Sequence, residues 1–156
     1  MAKIKLTKTE LKAQRDALAR FQRFLPMLQL KKQQLQLEIS TMRTRVEDAE
    51  REREALLAGA APWLGLLADE SAEIPVVLER VRTGQGNIAG VAIPVYEGVD
   101  VSRPEIDLFA TPAWVDEAVE AGARLIGFAA RIDVLREQIT RIEAELRTTS
   151  QRVNLF

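Results

Sequence analysis

Cysteine and histidine are both absent from this chain of 156 residues. Without cysteine there is no disulfide, no thiolate zinc site and no cysteine nucleophile. Without histidine the commonest general base, the base of hydrolase triads and the imidazole metal ligands are lost together. Aromatic residues make up only 5% of the chain, too few for a thick globular core but enough for a narrow seam between helices. Long apolar runs are missing as well. The longest uncharged stretches, 55–68 and 83–96, contain glycine and proline, and both fall short of the ~18 apolar residues that a spanning helix needs. The basic opening Met1–Leu6 is followed by no apolar run, so it does not read as a secretory signal. The expectation is a cytoplasmic protein with no direct membrane insertion, free to attach to a membrane-bound partner.

What is present is a heptad repeat at each end of the chain. The ladder Leu11, Gln14, Leu18, Phe21, Leu25, Leu28, Lys32, Leu35, Ile39, Met42, Val46, Ala49, Arg53, Leu56 keeps an alternating spacing of three and four, and 11 of its 14 positions are apolar. A second ladder, Trp114, Ala118, Ala121, Leu125, Phe128, Ile132, Leu135, Ile139, Ile142, Leu146, Thr149, Val153, Phe156, is apolar at 12 of 13 positions. A stripe repeating every 3.5 residues needs a facing helix with a matching stripe. Two such helices joined through a compact middle satisfy each other by folding back antiparallel. The predicted fold is therefore dominated by α-helix: a long antiparallel two-helix coiled coil with a small β-hairpin-containing segment between the helices. The division is 1–58 for the first helix, 59–110 for the central segment and 111–156 for the second helix.

Local signals agree with that division. Thr7-Lys-Thr-Glu10 fits a capping box at the start of the first helix. Pro26 lies inside this helix beside the seam, and the unbroken heptad phase around it predicts a kink and not a boundary. The helix is expected to run to about Ala58, and the second helix to match it in length. Residues 59–110 hold six of the eight glycines and four of the six prolines. Within them, Pro62 opens a candidate short helix. Gly84-Gln-Gly-Asn87 is the candidate turn between two Val/Ile-rich runs, the second demoted to an edge strand by Pro94. Thr111-Pro112 caps the second helix, with Asp116 and Glu117 favoured by the dipole in its early turns. The central segment is expected as an end piece on the rod.

Net charge is −1, but residues 1–45 carry 11 Lys or Arg against 3 acids while the rest carries 11 against 20. The basic block suggests a surface for an acidic partner, with Lys8, Lys12, Arg15, Arg20 and Arg23 as candidate partner-facing residues. Other constellations carry less. Gly84-x-Gly86-x-x-x-Gly90 has the wrong spacing for a dinucleotide loop and leads into a strand, and no glycine is followed by a phosphate-binding lysine. Glu143 and Glu145, two apart on a helix, face different ways. Asp69, Glu70 and Glu73 lack the spacing of a metal loop. Lys32 and Arg53 on the seam read as register-setting polar positions. No catalytic residue, cofactor or metal ligand is expected.

Three segments resemble a known family. Lys5-Leu-Thr-Lys-Thr-Glu-Leu-Lys12 followed by Leu28-Gln-Leu-Lys-Lys-Gln-Gln-Leu35 is similar to the opening helix of the D subunits of V-type rotary ATPases. Asn87-Ile-Ala-Gly-Val-Ala-Ile-Pro94 resembles that family's central segment, and Glu145-Leu-Arg-Thr-Thr-Ser-Gln-Arg-Val-Asn154 its arginine-valine-asparagine motif. Family members continue beyond this motif, whereas this sequence ends at Phe156. The resemblance implies a non-catalytic central rotor stalk that couples ATP turnover to ion translocation. Its implied partners are the A and B subunits of the catalytic head, the F subunit, and the C subunit on the membrane rotor, placing the chain at the membrane periphery. The seam residues expected to hold the shaft together are Leu18, Phe21, Leu25, Leu28, Leu35, Ile39 and Met42 on one helix. On the other they are Leu125, Phe128, Ile132, Leu135, Ile139, Ile142 and Leu146. A prefoldin-like holdase is the alternative, because it too places hairpin material between antiparallel helices. A nucleic-acid partner is not expected, since no aromatic stacking platform accompanies the N-terminal bases.

Overall fold

The computed structural model describes residues 7–64, 76–103, 105 and 114–155. Four elements follow in order: α1 (Lys8–Leu64), β1 (Val77–Ile88), β2 (Val91–Ser102) and α2 (Trp114–Asn154). The two long helices with a small antiparallel hairpin between them are the architecture that the two heptad ladders imply. At 1.5 Å per residue, α1 is roughly 85 Å long and α2 roughly 60 Å.

The helix α1 opens where the capping box predicts. Thr7 Oγ1 accepts a hydrogen bond from the Glu10 amide at 3.3 Å, while the Glu10 carboxylate takes the Gln14 side-chain amide at 2.9 Å instead of reaching back. Pro26 lies within one continuous helix. So does Pro62, because α1 continues past Ala58 to Leu64, and the first residues of the separate short helix expected there, 61–64, belong to it. Tertiary packing explains the extension: Ala60 is buried, as are Ala118 and Ala121 of α2, and Ala60 and Ala121 line one cleft, so small side chains let the backbones approach closely. The proposed cap at Thr111-Pro112 and the acidic trio Asp69, Glu70 and Glu73 lie outside the described residues.

The hairpin turn is displaced from the glycine-rich stretch that suggested it. Gly84–Asn87 lies inside β1, and the reversal is made by Ala89 and Gly90, with φ of 50° and 84°. Two successive positive φ values define a type I′ turn, whose twist matches that of the strands. Asn87 Oδ1 accepts the Gly90 amide at 3.0 Å and braces the turn. The register pairs Ile88 with Val91 and Gln85 with Pro94. Alternation outward from the turn puts Pro94 at a non-hydrogen-bonded pair, where its missing N–H is not required. Register shifts follow Leu78 and Arg82, and at the second Gly98 adopts φ 151° while Arg82 reaches Asp100 at 3.2 Å.

The hairpin is not an end piece. It lies lengthwise on α2, beginning where Val76 approaches Gly122 and continuing where Tyr96 and Val99 approach Gly127. Farther along, Gln138 donates to the Pro94 carbonyl and Arg141 to the Ala92 carbonyl at 3.3 Å. The tip reaches both helices: Ile93 joins Leu35, Ile39, Met42 and Ile142 in one buried cluster, with Ile88, Ala89 and Val91 packed against it. The helix α2 is thus buried on two sides, one along the seam and one along Val119, Ala123, Ala130, Val134 and Gln138.

Candidate partner-binding surfaces

A two-helix rod offers chemistry on its flanks, so the first question is which side chains the coil consumes. Of the seam positions, Leu35, Ile39, Met42, Ile132, Leu135 and Ile142 are buried. Leu25, Leu28, Leu125, Phe128, Ile139 and Leu146 are half-buried. Leu18 and Phe21 are placed differently, 55% and 46% exposed. The interhelical pairs Lys31–Glu145 and Glu50–Arg136 set the antiparallel alignment. Among the described residues α1 spans 57 residues and α2 spans 41.

The flanks of the paired region are stitched by charge. Lys31 meets Glu145 at 2.5 Å, Arg43 meets Glu143 at 2.9 Å, Glu50 meets Arg136 at 2.7 Å and Glu52 meets Arg131 at 3.7 Å. Glu143 therefore belongs to an interhelical pair. Such part-exposed pairs set alignment more than they stabilise, at ~0–1 kcal/mol each. On the seam, Lys32 is half-buried, and Arg53 Nε is buried without a hydrogen-bond partner among the described residues.

The five candidate partner-facing bases occupy a different setting. Lys8, Lys12, Arg15, Arg20 and Arg23 are all exposed, and none enters an ion pair among the described residues. Antiparallel folding also sorts charge along the rod. The half containing 7–45 and 136–154 carries 13 Lys or Arg against 6 acids, and the half containing 46–64 and 114–135 carries 4 against 9. The rod is consequently bipolar, with the N-terminal part of α1 at its cationic end. A field of this kind steers an oppositely charged partner to one end of the molecule.

Sequence reasoning missed the hairpin-facing side of α2. Its members Val119, Ala123, Ala130, Val134 and Gln138 recur at spacings of four and seven, a second helical stripe beside the heptad ladder that the small side chains made easy to overlook. Open clefts among the described residues flank the rod, two of them between the helices. One, about 360 Å³, lies between Ala55, Gly59, Glu117 and Arg124 near the acidic end. The other, about 460 Å³, lies over Ile39 and Leu146 between Arg43 and Arg147. No group of three or more metal-ligating side chains forms among the described residues, and no described helix is long and apolar enough to cross a membrane.

Comparison with known proteins agrees with this architecture. A sequence-family profile for the ATP synthase D subunit matches residues 10–156. The V-type ATP synthase D subunit of Borreliella burgdorferi is 40% identical over 157 aligned residues, covering 100% of this chain and 78% of that protein. Its counterpart in Chlamydia felis is 32% identical, covering 99% of this chain and 76% of that protein. In Chlamydia pneumoniae the identity is 31%, with 98% and 75% covered. Paired heptad seams, the intervening hairpin and similarity to these relatives along the whole of this chain together assign it to the ATP synthase D-subunit family of the V-type rotary ATPases.

Proposed function

We propose that the chain is the non-catalytic central stalk of a V-type rotary ATPase, coupling ATP turnover in the A/B head to ion translocation. The observation that carries this reading is the cationic N-terminal part of α1 at one end of an antiparallel two-helix rod whose flanks hold four interhelical ion pairs. A stiff rod transmits torque, and an unpaired charged end engages a surrounding partner. In this reading the cationic end enters the A/B head, and the flank bearing the hairpin and the acidic end meet the F and C subunits. The chain stays at the membrane periphery through those partners. Because charge, hairpin and apolar surface are distributed unequally around the shaft, each orientation offers different contacts to each catalytic interface. Differential contacts of that kind link rotation to nucleotide turnover. The family assignment gives no support to the prefoldin-like alternative.

Reconstitution tests the proposal. The chain, the F subunit and the A/B head are mixed, and native mass spectrometry counts copies. One copy of the chain per head, with ATP turnover altered by its addition, is the expected result. A chain that assembles into multimers through its hairpin, or that fails to join the head, defeats the stalk reading.

A further inference from the structure

Each strand of a two-stranded sheet keeps one edge outside the ladder, and in this hairpin the two edges are treated differently. Counted outward from the Ile88–Val91 pair that flanks the turn, Ala92 and Pro94 of β2 and Thr83, Gln85 and Asn87 of β1 turn their backbone groups away from the neighbouring strand. On β2 the outward carbonyls are met by α2, since Arg141 donates to Ala92 and Gln138 to Pro94. The outer strand is β1, which scarcely touches α2. The outward amides and carbonyls of Thr83, Gln85 and Asn87 have no hydrogen-bond partner among the described residues, and all three residues are exposed. Exposed edges are usually guarded by a charge, a proline or a bulge. From Thr83 to Ile88 this edge has none of them.

We propose that the edge of β1 from Thr83 to Asn87 is a strand-addition site. Its occupant is an extended segment of another subunit of the complex, carrying a basic and a large apolar side chain two residues apart. The inference rests on the family assignment and not on the stalk reading. Unpaired donors and acceptors recurring at every second residue match the groups of an extended strand. The side chains of that strand follow from the glycines. Gly84 and Gly86 share one face of β1, and Glu97 and Val95 of β2 lean across them, so that a Cβ on Gly86 would lie 2.8 Å from Val95 Cγ2. Glu97 is exposed and outside any ion pair among the described residues, and Val95 is 39% exposed. A strand beside β1 reaches both across the glycines, which calls for a base facing Gly84 and an apolar side chain facing Gly86. A second copy of this chain fits poorly. Its own Thr83–Asn87 edge offers neither group. Its hairpin base, where Val77 and Leu78 are exposed, would set Arg80 and Leu78 against Gly84 and Gly86. That two-fold pairing puts Arg82 directly opposite its counterpart, where like charges repel, and the register shifts after Leu78 and Arg82 interrupt it.

The test follows amide hydrogen exchange residue by residue, in the chain alone and in the chain assembled with the other soluble subunits of the ATPase. In the chain alone Gly84, Gly86 and Ile88, whose amides point into the ladder, should exchange slowly, and Thr83, Gln85 and Asn87 fast. Assembly should slow the second set at least tenfold. Gln85→Pro removes one edge donor at a non-hydrogen-bonded pair, where Pro94 already stands on the other strand. It should leave the ladder protected and abolish the new protection at Thr83 and Asn87, whereas Gln85→Thr, which keeps the donor, should match the parent. Glu97→Lys should weaken the new protection by repelling the base; if Gln85→Pro disturbs the ladder, this exposed position decides alone. Exchange that is unchanged on assembly, slowing that does not alternate, or parent-like protection in Glu97→Lys overturns the proposal. Alternating protection already present in the chain alone overturns it too: if it grows with chain concentration the occupant is a second copy, and if not it is another segment of the same chain. None of these outcomes bears on the stalk reading, which is decided by copy number per head.

Discussion

Truncating Ile142 to alanine should weaken the rod at the point where three segments meet. Ile142 is fully buried against Leu35, Ile39 and Met42 of α1 and Ile93 of the hairpin tip. Removing three carbons forfeits about 2.4 kcal/mol of transfer free energy at ~0.8 kcal/mol per methylene. The void adds to this, because closing it requires α1, α2 and the hairpin to move together. A total of about 3–4 kcal/mol is expected, within the range for buried aliphatic truncations. For a chain of this size that corresponds to a fall in melting midpoint on the order of 10 °C. The control is Leu37→Ala, which removes a similar side chain from a site that is 66% exposed and should change stability by under ~0.5 kcal/mol. Circular dichroism melts and urea titrations of the parent and both variants decide the matter. Equal midpoints for Ile142→Ala and Leu37→Ala would show that the heptad phase and the hairpin-tip packing are both misassigned.

Three further outcomes probe the hairpin and the flank. Gly90→Ala should cost about 1–2 kcal/mol, since its Cβ would meet nothing within 4 Å and the whole effect comes from φ +84°; an unchanged midpoint would mean that the turn is not type I′. Gln138→Leu should cost about 1–3 kcal/mol by leaving the Pro94 carbonyl without its donor, and hydrogen exchange should quicken selectively in β2. Exchange that rises uniformly along the chain would show that Gln138 does not fasten the hairpin to α2. Glu143→Lys, which breaks the 2.9 Å contact with Arg43, should shift stability by no more than ~1 kcal/mol at moderate salt. A loss of several kcal/mol would identify that pair as structural.

Heptad periodicity alone determined that the chain contains two long helices packed along facing seams. An apolar ladder of 3.5-residue period is stable only against another one, whatever the rest of the fold. It also determined which side of each helix is apolar, and the cation-rich N-terminal third is visible in composition. Periodicity states the direction in which a side chain points, however, and not whether anything stands there. Leu18 and Phe21 satisfy the ladder as well as Leu35 does, yet they are 55% and 46% exposed, while Leu35 is buried in the cluster that α1, α2 and the hairpin tip build together. The turn moved from Gly84–Asn87 to Ala89–Gly90 for a similar reason. Glycine permits positive φ in several places, and strand pairing together with the fit of Ile93 into the Leu35–Ile142 cluster selects one. The second buried side of α2 exists because the hairpin lies there, and the bipolar rod exists because antiparallel folding sets the acidic stretches 46–64 and 114–135, on either side of the hairpin in the sequence, next to each other. Each of these depends on long-range pairing, which local periodicity does not encode.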